Sequence, residues 1–257
     1  MIGSYTVKPH HWPGYPWPGS TEPLIRLGPD DGPLVVIAQP LFEEANRMRA
    51  FILAVMRNLA GMGIASALPD LPGTGESKTP TDKANYLLWL SAFAEAVNQV
   101  AKGNQPHLLT IRGGALLTSW TPAISLYQFA PVEGSSLVRD LIRARRVAGT
   151  DAAFEAEMDA LLSGPAPEGP LPPVMLAGNA IPGDLLAQLN HGHALSAETE
   201  DEAPIARRVA RLSGDGGAAD VRFAGAPLWR RAEPDQDAAL AATLAADVAA
   251  WVRRCAG

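Results

Sequence analysis

Three short, mostly apolar runs, Leu34–Ala38, Ile64–Leu68 and His107–Ile111, alternate with two amphipathic stretches, Glu43–Ala60 and Lys83–Lys102. No other feature narrows the fold as much. A strand that is apolar on successive residues is buried on both faces, which is the condition of a parallel sheet covered by helices. Parallel neighbours need a crossover, and both intervening stretches carry apolar residues at helical spacing: Phe51, Ile52, Val55, Met56 and Leu59 in one, Leu87, Leu90, Phe93, Ala94 and Val97 in the other. Gly61-Met62-Gly63 and Gly103-Asn104 stop the two helices. The pattern predicts an α/β domain with a mostly parallel sheet and helices on both faces.

The rest of the chain extends this order. After Ile111 it turns through Arg112-Gly113-Gly114 into a short helical segment, Ala115–Trp120, which Pro122 closes early. Ile124–Phe129 reads as a strand, and Leu137–Arg146 and Ala152–Leu162 as helices of opposite charge with separately solvated faces. Pro165–Pro173 is a proline-rich linker, Val174–Ala177 a strand, Pro182–Leu189 a short helix, and Ser196–Pro204 an acidic loop. Val209–Leu212 and Val221–Phe223 look like the last strands. Their link is too short for a usual crossover, so a hairpin is expected. An alanine-rich helix, about Asp235–Arg254, closes the chain. Residues 1–32 are read as an irregular arm with at most an edge strand. Residues 33–257 form one domain, with 134–173 a lid-like helical insertion and linker.

Composition excludes several classes. A net charge of −6 without a basic block argues against nucleic acid as a partner. The single cysteine, Cys255, excludes an internal disulfide and a thiolate metal cluster, and fits a reducing compartment. The first residues lack a signal-peptide core, and Pro, Gly or charge interrupts each apolar run before membrane-spanning length. A cytoplasmic protein with no membrane span, cofactor or metal is therefore expected. His10 and His11 beside Trp12 sit among prolines and glycines, so an irregular arm is favoured over a metal tract.

The stretch Asp70-Leu71-Pro72-Gly73-Thr74-Gly75-Glu76-Ser77 has the pattern D-x-x-G-x-G-x-S. It resembles the loop after the fourth strand of α/β-hydrolases. Thr110-Ile111-Arg112-Gly113-Gly114 stands where that family has its nucleophile elbow, G-x-S-x-G, with a serine on a strained strand-to-helix turn. Here Arg112 takes the serine's place. More narrowly, the chain resembles the exosortase-A-associated hydrolases of bacterial exopolysaccharide and protein-sorting gene neighbourhoods. The matching segments are Gln39–Arg49, the Asp70 loop, Ile111–Ala115, Leu126-Tyr127-Gln128 and Gly225–Trp229. That family tends to carry P-P-F-x-E-E-x-N-K-x-R and G-L-R-x-G-A, so its own elbow already holds an arginine. The resemblance runs from about residue 33 onward. It implies an α/β-hydrolase fold and a hydrolase name, here with a shortened nucleophile helix and altered C-terminal strands.

Acyl-enzyme chemistry needs a nucleophile, a base and a group that orients the base. Arg112 stays protonated and cannot attack a carbonyl. The base should follow the last strand, but Ala224–Arg230 holds no histidine. His107, His191 and His193 lie elsewhere and read as surface or capping residues. Asp215 stands where the family's acid can stand, within a strong turn sequence. Ser77 and Ser119 read as a turn cap and a helix-end residue. Arg112 beside the N–H groups of Gly113 and Gly114 would suit an anion. Alternatively, Glu43 or Glu44 neutralises it internally. Gln39, Phe42, Asn46 and Tyr127 are its expected neighbours. Three readings follow. The first is a non-catalytic or atypical homologue binding a small anion near Arg112. The second is an esterase or acyl transferase with another nucleophile. The third is an interaction protein or homodimer using Trp229 and the arginine-bearing helix.

Overall fold

The computed structural model describes residues 10–17, 20–164, 169–194, 205–231 and 233–256. The start of the arm, residues 165–168 of the linker and the acidic loop 196–204 lie outside the described residues, as do the side chains of His10 and His11. The strands are β1 (His10–Trp17), β2 (Ser20–Leu27), β3 (Leu34–Ala38), β4 (Ala65–Pro69), β5 (His107–Ile111), β6 (Ser125–Phe129), β7 (Pro173–Leu176), β8 (Asn179–Pro182), β9 (Ala206–Leu212) and β10 (Val221–Phe223). The helices are α1 (Glu43–Gly61), α2 (Tyr86–Ala101), α3 (Gly134–Ala148), α4 (Ala152–Ser163), α5 (Gly183–Asn190) and α6 (Ala238–Cys255).

One eight-stranded sheet runs β1-β2-β4-β3-β5-β6-β9-β10, and β7–β8 forms a separate hairpin. Pairings β1/β2 and β2/β4 are antiparallel, and every later junction of the large sheet is parallel. Every residue of β4, β5 and β6 is buried, as their apolar runs require. One face packs on α1 and α6 through Phe51, Met56, Phe129, Leu244 and Val248. The other packs on α2, α3 and α5 through Trp89, Phe93, Leu137, Val138 and Leu185. The 134–173 segment thus packs into the core through α3.

Local chemistry sets several boundaries. The helix expected from Lys83 starts at Tyr86, because the Asn85 side chain caps it by accepting from Leu88 N–H at 2.8 Å. The short helix after the elbow is a 3₁₀ turn over Arg112–Leu117. The arm is not irregular over residues 10–27. It forms the β1–β2 hairpin, with a register shift between Trp12 and Tyr15, and the buried Tyr15 hydroxyl donates to the Asp70 carbonyl at 2.8 Å. The charged faces of α3 and α4 are not independently solvated, since Arg146 forks onto Glu155 at 3.0 and 2.5 Å.

The expected hairpin of β9 and β10 is corrected: they pair in parallel, Ala210 opposite Val221 and Leu212 opposite Phe223. A strand of three residues spans only about 10 Å, so the link 213–220 returns without a helix. It is stitched in place. Arg222 donates to the carbonyls of Leu212, Asp215 and Gly217, while the Asp215 and Asp220 carboxylates accept from the N–H groups of Leu212 and Val209.

Gly134 begins α3 against the end of α5, where an added Cβ would lie 1.7 Å from the Leu189 carbonyl oxygen. Backbone cannot yield as a side chain can. Gly134→Ala is expected to destabilise toward the upper end of the usual overpacking cost of about 1–3 kcal/mol, read by denaturant unfolding. No helix among the described residues is long and apolar enough to cross a membrane.

Candidate functional site

The C-terminal ends of the neighbouring strands β3 and β5 meet at one crevice, and the segment after β10 reaches it through Trp229. At the end of β5, Arg112 has φ +54°. This is the left-handed region that few non-glycine residues enter. The turn is held there by the residues after it. An added Cβ on Gly114 would stand 2.1 Å from the Ala38 carbonyl oxygen, and one on Gly113 3.1 Å from Leu137. Only a glycine at 114 lets β5 turn this close to the end of β3, whereas the Leu137 side chain could give way at 113. The strained elbow geometry is therefore present, with a guanidinium in place of a hydroxyl.

Arg112 is nearly enclosed, its side chain 10% exposed. It forks onto Glu44, donating Nε to Oε2 at 3.2 Å and Nη2 to Oε1 at 3.0 Å. Its Cζ also lies 4.6 Å from the centroid of the Trp229 ring, close enough for cation–π attraction. Glu44 is in the first turn of α1. Burial pushes its carboxyl above the usual value, and Arg112 opposes that push without cancelling it. Glu43 does not reach Arg112. It accepts from Arg47 at 2.5 Å, and Arg47 also donates to the Trp229 carbonyl at 2.9 Å. The alternative of an internal carboxylate partner is thus realised by Glu44, with Trp229 as its lid.

Two clefts flank the Leu41–Phe42 turn. The larger, about 500 Å³, opens above Glu44 and Trp229. Leu41, Leu137 and Leu141 form its apolar walls, and Glu43, Arg47, Asp140, Arg143 and Arg230 its charged rim. The smaller, about 220 Å³, holds Gln39, Phe42, Asn46 and Arg49. Beside it the buried Asp70 accepts from Gln39 and Arg49, each at 3.1 Å, and from Glu76 N–H at 3.0 Å. Phe42 has φ 56° and ψ −133°, a conformation costly for a side-chain-bearing residue, and its ring lies 5.6 Å from Trp89.

The expected neighbours of Arg112 are therefore divided. Glu44, Gly113 and, at the rim, Glu43 gather around it, whereas Gln39, Phe42 and Asn46 line the second cleft. Tyr127 is not at the crevice. Strand alternation turns it to the α6 face, where its hydroxyl donates to Asp247 at 2.6 Å, and Arg208 forks onto the same carboxylate. Asp215 is a turn cap, as its bond from Leu212 shows. His107 lies at the opposite end of β5, with Nδ1 2.8 Å from Ser125 Oγ. His193 is exposed, 3.3 Å from Glu133. Ser77 Oγ accepts from the N–H groups of Gly73 and Thr79, and Ser119 is exposed. Sequence reasoning placed Trp229 only at an interaction surface and missed Arg47, Arg49 and Asp140. Arg47 and Arg49 lay inside the quoted Gln39–Arg49 segment, but charge alone does not reveal which cleft a side chain enters.

No protein-family model matches the chain, and no curated protein is significantly similar to it in sequence. Solved structures are similar in fold. Alpha/beta hydrolase domain-containing protein 10 from mouse superposes with a TM-score of 0.61 at 13% identity, covering 97% of this chain and 99% of that one. A thermophilic esterase from Thermogutta terrifontis superposes with a TM-score of 0.54 at 12% identity, covering 96% and 99%. The chain has the α/β-hydrolase fold.

Proposed function

We propose that this protein is a non-catalytic member of the α/β-hydrolase fold that binds a small organic anion near Arg112, in the cleft lined by its partners Glu44 and Trp229. One observation carries the proposal: the elbow residue is a guanidinium forked onto an internal carboxylate, and Ala224–Arg230 brings no imidazole to it. Without nucleophile or base, no acyl-enzyme forms. The resemblance to exosortase-A-associated hydrolases supports the same reading, because that pattern also has an arginine at the elbow. The single cysteine supports a reducing, cytoplasmic setting.

The cleft's shape supports a ligand with an apolar body and one anionic group. Its volume of about 500 Å³ suits a small organic molecule. Arg47 and Arg143 are already paired with Glu43 and Asp140, while Arg230 forms no ion pair among the described residues. Arg230 would meet the incoming anion first. The anion would then compete with Glu44 for Arg112, and Glu44, already biased toward its neutral form, would take up a proton.

The test is phenylacetate binding, followed by calorimetry and thermal shift. Glu44 repels the ligand as a carboxylate and not as an acid. Affinity is therefore expected to rise as pH is lowered, for as long as phenylacetate itself stays ionised. Arg230→Ala is expected to weaken binding about tenfold, the usual worth of a charge-assisted contact. If no member of an aryl- and alkyl-carboxylate panel stabilises the wild type, the binding reading fails.

A further inference from the structure

The sheet's other face holds a second feature that the crevice does not use. Beyond β6, the first four residues of β9 are exposed or half-buried, and the strand borders a cleft of about 340 Å³. Gln128 of β6 pairs in register with Val209 of β9. Alternation puts Arg207 and Arg211 two residues to either side of Val209, on the same face. All four residues line this cleft, together with Pro131 and Glu133. Arg208, on the opposite face, is the one that pairs with Asp247.

The polar groups here are matched in an unusual way. Arg211 donates Nε to the Ala218 carbonyl at 3.0 Å and Nη1 to the Pro131 carbonyl at 3.2 Å, and it forms no ion pair among the described residues. Arg222, in register beside it, also donates to carbonyl oxygens. The nearby carboxylates are turned to other donors. Asp215 and Asp220 accept backbone N–H groups, and Glu133 accepts from Ala194 N–H and faces His193. Gln128 is 2% exposed, and its Nε2 has no hydrogen-bond partner. An unmatched buried donor carries a desolvation cost that a ligand acceptor would remove.

We infer that this cleft is a binding site for a tetrahedral oxyanion, a phosphate or sulfate group, held by Nη2 of Arg211 and the Gln128 amide. Carbonyl contacts at Nε and Nη1 orient the guanidinium and leave its charge unneutralised, with Nη2 left to donate a charge-assisted hydrogen bond to a phosphate oxygen. The cleft runs along the face of β9 from Arg207 to Arg211, and its Gln128–Arg211 end reaches the C-terminal ends of β6 and β9. Burial, with Arg222 and Arg112 nearby, also lowers the Arg211 proton affinity, with Asp215 and Glu133 opposing. A bound anion would relieve that pressure. The site is separate from the cleft lined by Glu44 and Trp229 and does not depend on the function proposed for it.

Titration of the full chain with inorganic phosphate and sulfate at constant ionic strength tests this, read by calorimetry and melting temperature. Both anions are expected to bind and raise the melting temperature. Arg211→Met is expected to weaken phosphate about tenfold or more, the usual worth of a charged hydrogen bond. Gln128→Glu, nearly identical in shape, should weaken it similarly by repulsion, and it keeps the test open if the arginine variant does not fold. Tighter binding of glycerol phosphate than of free phosphate assigns the group to an organic ligand; equal binding assigns it to the free anion. The two clefts are told apart by their own variants, Arg230→Ala acting on phenylacetate and Arg211→Met on phosphate. No stabilisation of the wild type by either inorganic anion, or full phosphate binding in both variants, overturns the inference.

Discussion

Glu44→Leu is expected to destabilise the fold by about 3–5 kcal/mol, the cost of leaving a buried charge without its partner. Arg112 cannot escape this by losing a proton, because guanidinium stays charged at any workable pH. The stranded guanidinium therefore keeps its cost across the working pH range, and the variant loses the pH dependence that Glu44 itself contributes to wild-type stability. Arg112→Leu differs. It strands Glu44, but a carboxylate can take a proton. Burial already raises the Glu44 pKa, and removing Arg112 removes the main influence that lowers it. With a folded value above the unfolded one, stability is complete at low pH and is lost as pH climbs through the folded value. Arg112→Leu should thus cost little near pH 4.5 and several-fold more at pH 8, each measured against wild type at the same pH. The double variant Arg112→Leu/Glu44→Leu should lie within about 1 kcal/mol of wild type or above it, because a buried pair rarely exceeds a well-packed apolar replacement. Denaturant unfolding of the four proteins closes the cycle. A small, pH-independent loss in Arg112→Leu would show that the pair is solvated and not enclosed.

Arg112→Ser is expected to remain inert toward nitrophenyl esters and toward a fluorophosphonate probe. The substitution restores a hydroxyl on a backbone already set at φ +54°. It restores nothing to take that hydroxyl's proton. The segment after β10 presents Trp229 to this spot, and the described histidine side chains lie at the far end of β5 or at the exposed end of α5. A serine without its base falls short of a working triad by about 10⁴-fold or more. Mass spectrometry after probe treatment decides it for both proteins. Labelling of any serine in the wild type would revive an enzyme with a different nucleophile.

The parallel core was legible because its evidence is local: apolar runs, helical spacing and glycine stops each report on their own few residues. Arg112 could be placed for the same reason, since the strand before it and the glycines after it define the turn. What stayed hidden depends on distant pairings. Tyr127 sits in a strand whose two faces are both buried, so periodicity could not say which way it points. The choice between Glu43 and Glu44 turns on one helical step of 100°, finer than any boundary drawn from pattern. The parallel pairing of β9 and β10 defied a rule about crossover length, because β10 is too short for the rule to apply. Trp229 stacks on Arg112 from across more than a hundred residues, a contact no local pattern announces.

Gly114, pressed against the Ala38 carbonyl, shapes the elbow from its own main chain, without help from the side chain at 112. The position behaves like an interchangeable socket: whatever is plugged in is presented at the same angle to the same opening. A protein engineer can retune residue 112 within the same housing, provided that Glu44 is exchanged along with it.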